Sequence, residues 1–179
     1  FVDADEEISA ALRDEIERLF ARPLPADIHG FECPRMVRYL GRWIRHGDWY
    51  PDIKLRLFLK SHGHCGGEEP HDRVYVNGKV RRLKGKIYHY TYTGIDDQIA
   101  TINRFSGISA RTHHQAGRRV RLADLLFRPL NRFLRGYVFK LGFLDGVPGL
   151  IVAANVAFGT FAKYAKLWEL TRLTEGETT

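Results

Sequence analysis

Phe1-Val2-Asp3-Ala4-Asp5-Glu6-Glu7-Ile8 opens the chain, and the reading of this stretch decides the fold class. Two apolar residues run into a cluster of carboxylates as a buried strand does on leaving a sheet. The sequence therefore predicts a strand exit here, and a truncated chain whose earlier strand residues are missing. Directly after it, Ile8, Leu12, Ile16, Leu19 and Phe20 recur at the spacing of one helix face. Ser9 offers a side-chain oxygen for the first turn, and Pro23 with Pro25 stops the run. A strand feeding an amphipathic helix predicts an α/β fold.

Working outward, Ile28 to Ile44 mixes apolar, aromatic and Arg residues up to Gly41 and reads as a strand entering a loop. Ile53, Leu55, Leu57 and Leu59 alternate with Lys54, Arg56, Phe58 and Lys60, the period-two pattern of a strand with one face on a core. His62 to Pro70 reads as a Gly-rich loop, and Val74 to Val80 as a short hairpin turning at Asn77-Gly78. Ile87 to Tyr92 alternates again as a strand. From Asp96 to Leu173 the period is helical, with breaks expected near Gly117, Pro129, Gly146 and Pro148. The expected organisation is a catalytic part over residues 1–95, a helical extension over 96–173 and a tail over 174–179.

Of the 179 residues, 44% are hydrophobic and 12% aromatic, which excludes a disordered chain and allows one ordinary core. Cys33 and Cys65 are too few for a disulfide framework, so reduced thiols are expected. The formal net charge is +7. Between Arg111 and Lys140 the basic residues, among them Arg128, Arg132 and Arg135, face Asp124 alone. That stretch leads into Val147–Ala162, an apolar run shorter than the roughly 20 residues a spanning helix needs. A basic, then apolar, helical region fits an anionic membrane surface, with Arg128, Arg132 and Arg135 supplying charge and Leu150 and Val156 supplying burial. The competing reading of the same run is a core helix.

Asp3 and Asp5 at a strand end are spaced so that both side chains project to one side. Two hard oxygen ligands so placed suit Mg²⁺ or Mn²⁺ bridging a diphosphate. The bland alternative is an acidic helix start favoured by the helix dipole. Arg45 and Arg56 suit phosphate or sugar through charge-assisted bonds, and Trp43, Trp49 and Tyr50 offer flat faces to sugar rings or equally to a core.

Asp3-Ala4-Asp5-Glu6-Glu7-Ile8, Gly41-Arg42-Trp43-Ile44-Arg45-His46-Gly47-Asp48-Trp49-Tyr50-Pro51-Asp52, Arg56-Leu57-Phe58, Pro70-His71-Asp72-Arg73-Val74 and His89-Tyr90-Thr91-Tyr92 occur in that order. The series resembles the family 2 glycosyltransferases of the GT-A fold, closest to the lipopolysaccharide core β-1,4-glucosyltransferase-like group, from Phe1 to about Glu169. The resemblance implies the C-terminal part of a Rossmann-like catalytic domain followed by amphipathic helices, with the nucleotide-binding half absent. It implies Asp3, Asp5 and His89 as metal ligands and Asp72, where the group has Glu, as the base for the acceptor hydroxyl. His71, Trp43, Arg45, Trp49, Tyr50 and Arg56 would bind substrate, and Glu68 and Glu69 are substitutes for the base. The activity implied is inverting, metal-dependent transfer from a nucleotide-sugar donor to an envelope glycolipid acceptor. The chain would act peripherally on the cytoplasmic face of the inner membrane and be inactive alone.

Two rivals differ in class. His62, His64, Cys65 and His71 supply nitrogen and sulfur for zinc, although their spacing matches no regular pattern. Arg-rich helices with interleaved aromatics also suit nucleic acid, but nucleic acid offers no partner for the apolar run, so none is expected.

Overall fold

The computed structural model describes residues 1–66 and 73–176. Along the chain run β1 (Glu6–Ile8), α1 (Ala10–Phe20), β2 (Ile28–Tyr39), β3 (Arg42–Trp43), β4 (Asp52–Phe58), β5 (Gly63–Gly66), β6 (Arg73–Val76), β7 (Lys79–Arg82), β8 (Ile87–His89), α2 (Ile95–Gln115), α3 (Leu122–Leu134) and α4 (Gly146–Gly176). They form two compact units, Phe1–Trp43 with Trp49–Thr91, and Ile44–Asp48 with Tyr92–Thr179.

The sheet unit is built on β2, whose 12 residues are long enough to pair with different strands at its two ends. On one edge it takes β4 antiparallel from Gly30 to Arg35, then β3 at Arg38 and Tyr39. On the other it takes β7 parallel from Ile28 to Glu32, then β8 parallel from Arg35 to Val37. β1 adds antiparallel to β8, with Glu6 opposite His89. The result is a mixed sheet, and the protein is α/β. One face receives α1, where Leu12 joins Phe31, Cys33, Leu83 and Ile87 in the buried core, with Ile16, Leu19 and Leu57 packed around it. Ser9 caps α1 as its sequence predicts, accepting from the Leu12 amide at 3.2 Å.

Several local expectations are corrected. Asp3 to Asp5 do not end a strand: Ala4 and Asp5 lie in a turn closed by the Glu6 amide on Asp3 O at 3.1 Å, and the strand starts at Glu6. The loop expected from His62 contains β5, which pairs with β6 from Gly63 opposite Val76 to Gly66 opposite Arg73. The Val74–Val80 hairpin is therefore not formed. β6 turns to β5 and β7 to β2, so Asn77-Gly78 joins two sheets, because backbone pairing went to partners that periodicity cannot identify.

In the helical unit, α2 and α3 both pack along α4. Its interior holds Ala110, Val152, Ala153, Tyr164 and Leu167, and the buried Gln98 accepts from Asn155 at 2.5 Å. The chain turns after Gln115 at Gly117, as expected. Pro129 does not break α3, which continues through it with one backbone donor missing. A π turn at Arg135–Phe139 and a 3₁₀ turn at Gly142–Asp145 intervene before α4. Pro148 sits in the first turn of α4, where its missing N–H has no helical acceptor to serve. With 31 residues, α4 is far longer than the apolar run alone suggests.

Candidate functional site

The turn before β1 and the end of β8 are neighbours because β1 and β8 pair, and the Tyr90 amide donates to Asp5 O at 3.0 Å. This places His89 Nε2 2.9 Å from Asp5 Oδ2. The His89 ring is nearly enclosed and its Nδ1 is buried with no hydrogen-bond partner, while the Asp5 carboxylate is about half exposed. An imidazole nitrogen and an accessible carboxylate oxygen converge at one edge of the sheet unit, 84 residues apart in sequence.

Asp3 is turned elsewhere. Its carboxylate meets the Arg56 guanidinium at 2.5 Å, whereas that of Asp5 meets His89. Arg56 also donates to Glu6 Oε1 at 2.7 Å, and Arg35 reaches the same oxygen at 3.1 Å. Arg35 in turn holds Asp52, with Nε and one terminal nitrogen at 2.9 and 2.7 Å. The Glu6 side chain is fully enclosed. Burial pushes its carboxyl upward, but hydrogen bonds from Arg56, the Asp3 amide and Arg35 outweigh this and hold it below the usual range. Burial likewise lowers Arg56, and Glu6 and Asp3 more than restore it, so its pKa is raised. The sequence reading assigned Arg56 to substrate; the structure shows it holding carboxylates. Glu6, Arg35 and Asp52 were not singled out, although Arg35 and Arg56 each lie inside otherwise apolar strands, a signal that calls for buried acids.

The aromatic candidates lie among other rings. Trp43 packs on Tyr88 and Tyr90, with centroids at 4.6 and 5.7 Å, under the Arg38 guanidinium. Trp49 meets Tyr39 edge-on at 5.2 Å, and Lys86 lies over Tyr50. Asp72 and His71, with Glu68 and Glu69, fall outside the described residues. His64 stacks on Tyr75, His62 bonds Ser61, and Cys65 is exposed. Among the described residues no group of three or more His, Cys, Asp or Glu is placed to hold a metal: neither His62, His64 and Cys65 nor Asp3, Asp5 and His89 form one.

Arg45 belongs to the helical unit, where two acids missed by the sequence reading fix its segment. Asp145 is buried and its Oδ2 accepts from the Arg45 and His46 amides at 2.9 and 2.8 Å, while Oδ1 meets His46 Nδ1 at 3.1 Å. A carboxylate only accepts, so His46 carries its proton on Nδ1. Asp48, only 3% exposed, pairs with Arg132 at 3.2 Å and Lys140 at 3.0 Å. Gly47 between them has φ +77°, a left-handed conformation that favours glycine. The expected membrane arginines line one groove of about 620 Å³, where Arg128, Arg132 and Arg135 face Lys163 and Tyr164. Leu150 is exposed, whereas Val156 is half-buried.

Compared with known proteins, the chain is 29% identical to an uncharacterized glycosyltransferase of Rickettsia typhi and 27% identical to another of Rickettsia bellii, each over 94% of this chain. It is 27% identical, again over 94% of its length, to the lipopolysaccharide core biosynthesis glycosyltransferase LpsC of Rhizobium meliloti. These relatives are glycosyltransferases by name. The chain spans about three fifths of their length, 61%, 60% and 62% respectively. No family model matches it, and no solved structure does.

Proposed function

We propose that the chain is the C-terminal part of a family 2, GT-A glycosyltransferase that moves a hexose from a nucleotide-sugar donor onto a lipopolysaccharide-core or related glycolipid, with inversion. The relatives' names support the transferase class, and LpsC supports the envelope acceptor. The observation that carries the site is the convergence of Asp5 and His89, with Oδ2 and Nε2 2.9 Å apart. The Asp5 carboxylate would supply a hard oxygen ligand to Mg²⁺ or Mn²⁺, with the His89 imidazole a second ligand better suited to Mn²⁺, and such an ion, when bound, would offset charge on a diphosphate. Arg56 and Arg35 hold Glu6 beneath the turn and so fix where Asp5 points. Asp3, engaged by Arg56, serves the turn rather than the ion.

In the reaction, the acceptor oxygen attacks the anomeric carbon, its proton passes to Asp72, and the bond to the nucleoside diphosphate breaks on the opposite side. The chain spans about three fifths of its relatives' length, which leaves room for the nucleoside contacts outside these 179 residues. The enzyme works peripherally on the cytoplasmic face of the inner membrane, held by the basic and apolar helical unit.

Asp5→Asn, in a protein completed with a nucleotide-binding half, is expected to lose Mn²⁺-dependent sugar transfer by on the order of a hundredfold or more while its circular dichroism is unchanged. Unaltered turnover with an unaltered metal requirement refutes the assignment.

A further inference from the structure

An amphipathic helix of a water-soluble domain turns its apolar side inward. α3 also carries an apolar row on its outside. Leu122, Leu126 and Leu130 follow one another at four-residue spacing, and they and Phe127 are between 54% and 71% exposed. No residue of α3 is buried. Its less exposed side is mixed: Leu125, Pro129 and Phe133 are half-buried there together with Asp124 and Arg132, and Arg132 serves the buried Asp48. The same outward apolar character continues through the turns that follow, where Phe139 is 78% and Val147 69% exposed, with Phe143 and Leu144 exposed between them.

Arg118, Arg119 and Arg121 precede α3 and Arg135 and Lys140 follow it, so the ends of α3 are strongly basic. A second copy of the chain would bring the same guanidinium groups against one another as it covered the strip. An anionic lipid surface offers opposite charge to the ends and hydrocarbon to the middle. The helical segment Gly142–Leu173, the 3₁₀ turn together with most of α4, is long and apolar enough to cross a membrane by length and composition. It is nevertheless tied within the unit by Asn155 to Gln98 and by Lys166 to Asn103 and Ser106.

We propose that the outward face of α3 and the turns from Val138 to Val147 form the element that enters the interface of an anionic bilayer, with α4 behind it. This rests on the peripheral membrane reading above and moves its apolar contact from Leu150 and Val156 to Leu126, Phe127 and Phe139. Because Leu126 and Phe127 are 57% and 66% exposed, replacing them is expected to leave the fold intact.

The test is sedimentation of the whole chain with phosphatidylcholine vesicles containing or lacking about one fifth phosphatidylglycerol. Wild type is expected to sediment with the anionic vesicles. Leu126→Asp with Phe127→Asp is expected to weaken that partitioning by about tenfold or more at unchanged circular dichroism and thermal midpoint, while Leu150→Asp retains most of it. Wild-type binding that survives the α3 change but is lost with Leu150→Asp overturns the inference alone. Wild type that ignores anionic vesicles overturns the membrane reading with it. A wild-type dimer that the α3 change converts to monomer, without vesicle binding, assigns the strip to a second copy and overturns it equally.

Discussion

Asp145 is the residue whose loss should be felt most sharply in the helical unit. Asp145→Ala leaves the Arg45 and His46 amides without the oxygen that accepts both, and deletes the partner of His46 Nδ1. Each of the two deserted, partly buried amides costs about 1–2 kcal/mol, while the His46 side chain, 33% exposed, can turn to water, so the change should remove about 3 kcal/mol. At about 2–4 °C per kcal/mol for a chain of this size, the thermal midpoint should fall by about 6–12 °C. Asp145→Asn is the informative control. Its amide oxygen can take the place of Oδ2 and still accept from both backbone donors, and its NH₂ can donate to His46 once that ring moves its proton to Nε2. Only the charge assistance is lost, about 1 kcal/mol. Differential scanning fluorimetry or calorimetry of the three proteins at pH 7 reads the difference. An Ala variant no less stable than the Asn variant would refute the view that Asp145 holds the Arg45–His46 segment.

Two further outcomes follow from the sheet unit. The Glu6 carboxyl is held below its ordinary value of 4.5, so its contribution is full above that pH and is lost as pH falls below it. Glu6→Gln should therefore be clearly less stable than wild type in urea at pH 7, with the gap narrowing at pH 3; a gap that widens with acid contradicts the network. Burial pushes the Cys33 thiol up to about 11, while Cys65 is exposed. Native protein at pH 8 should thus react with a disulfide reagent at Cys65 first, and at Cys33 only after denaturation; equal native reactivity at both would contradict the packing of Cys33 against Leu12 and Phe31.

Periodicity and capping sufficed for α1, since Ser9, the apolar run and Pro23 act within one segment and depend on nothing distant. The same holds for β4 and β8, whose alternation marks a strand wherever the partner lies. Local chemistry also nominated Asp5 and His89 through the resemblance, but not that Asp3 would turn away. That choice was made by Arg56 on β4, 53 residues along, competing for the same carboxylate. Strand partnership was likewise invisible: β6 and β7 carry a tight-turn signal between them, yet β2 and β5 claimed their backbones, because hydrogen-bonding groups are alike at every residue and only packing selects among them. Composition showed that the second half was basic and apolar. Which way α3 faces was settled by tertiary structure: Arg132 meets the buried Asp48 on the same side as the half-buried Leu125 and Phe133, and Leu122, Leu126 and Leu130 are left to the outside.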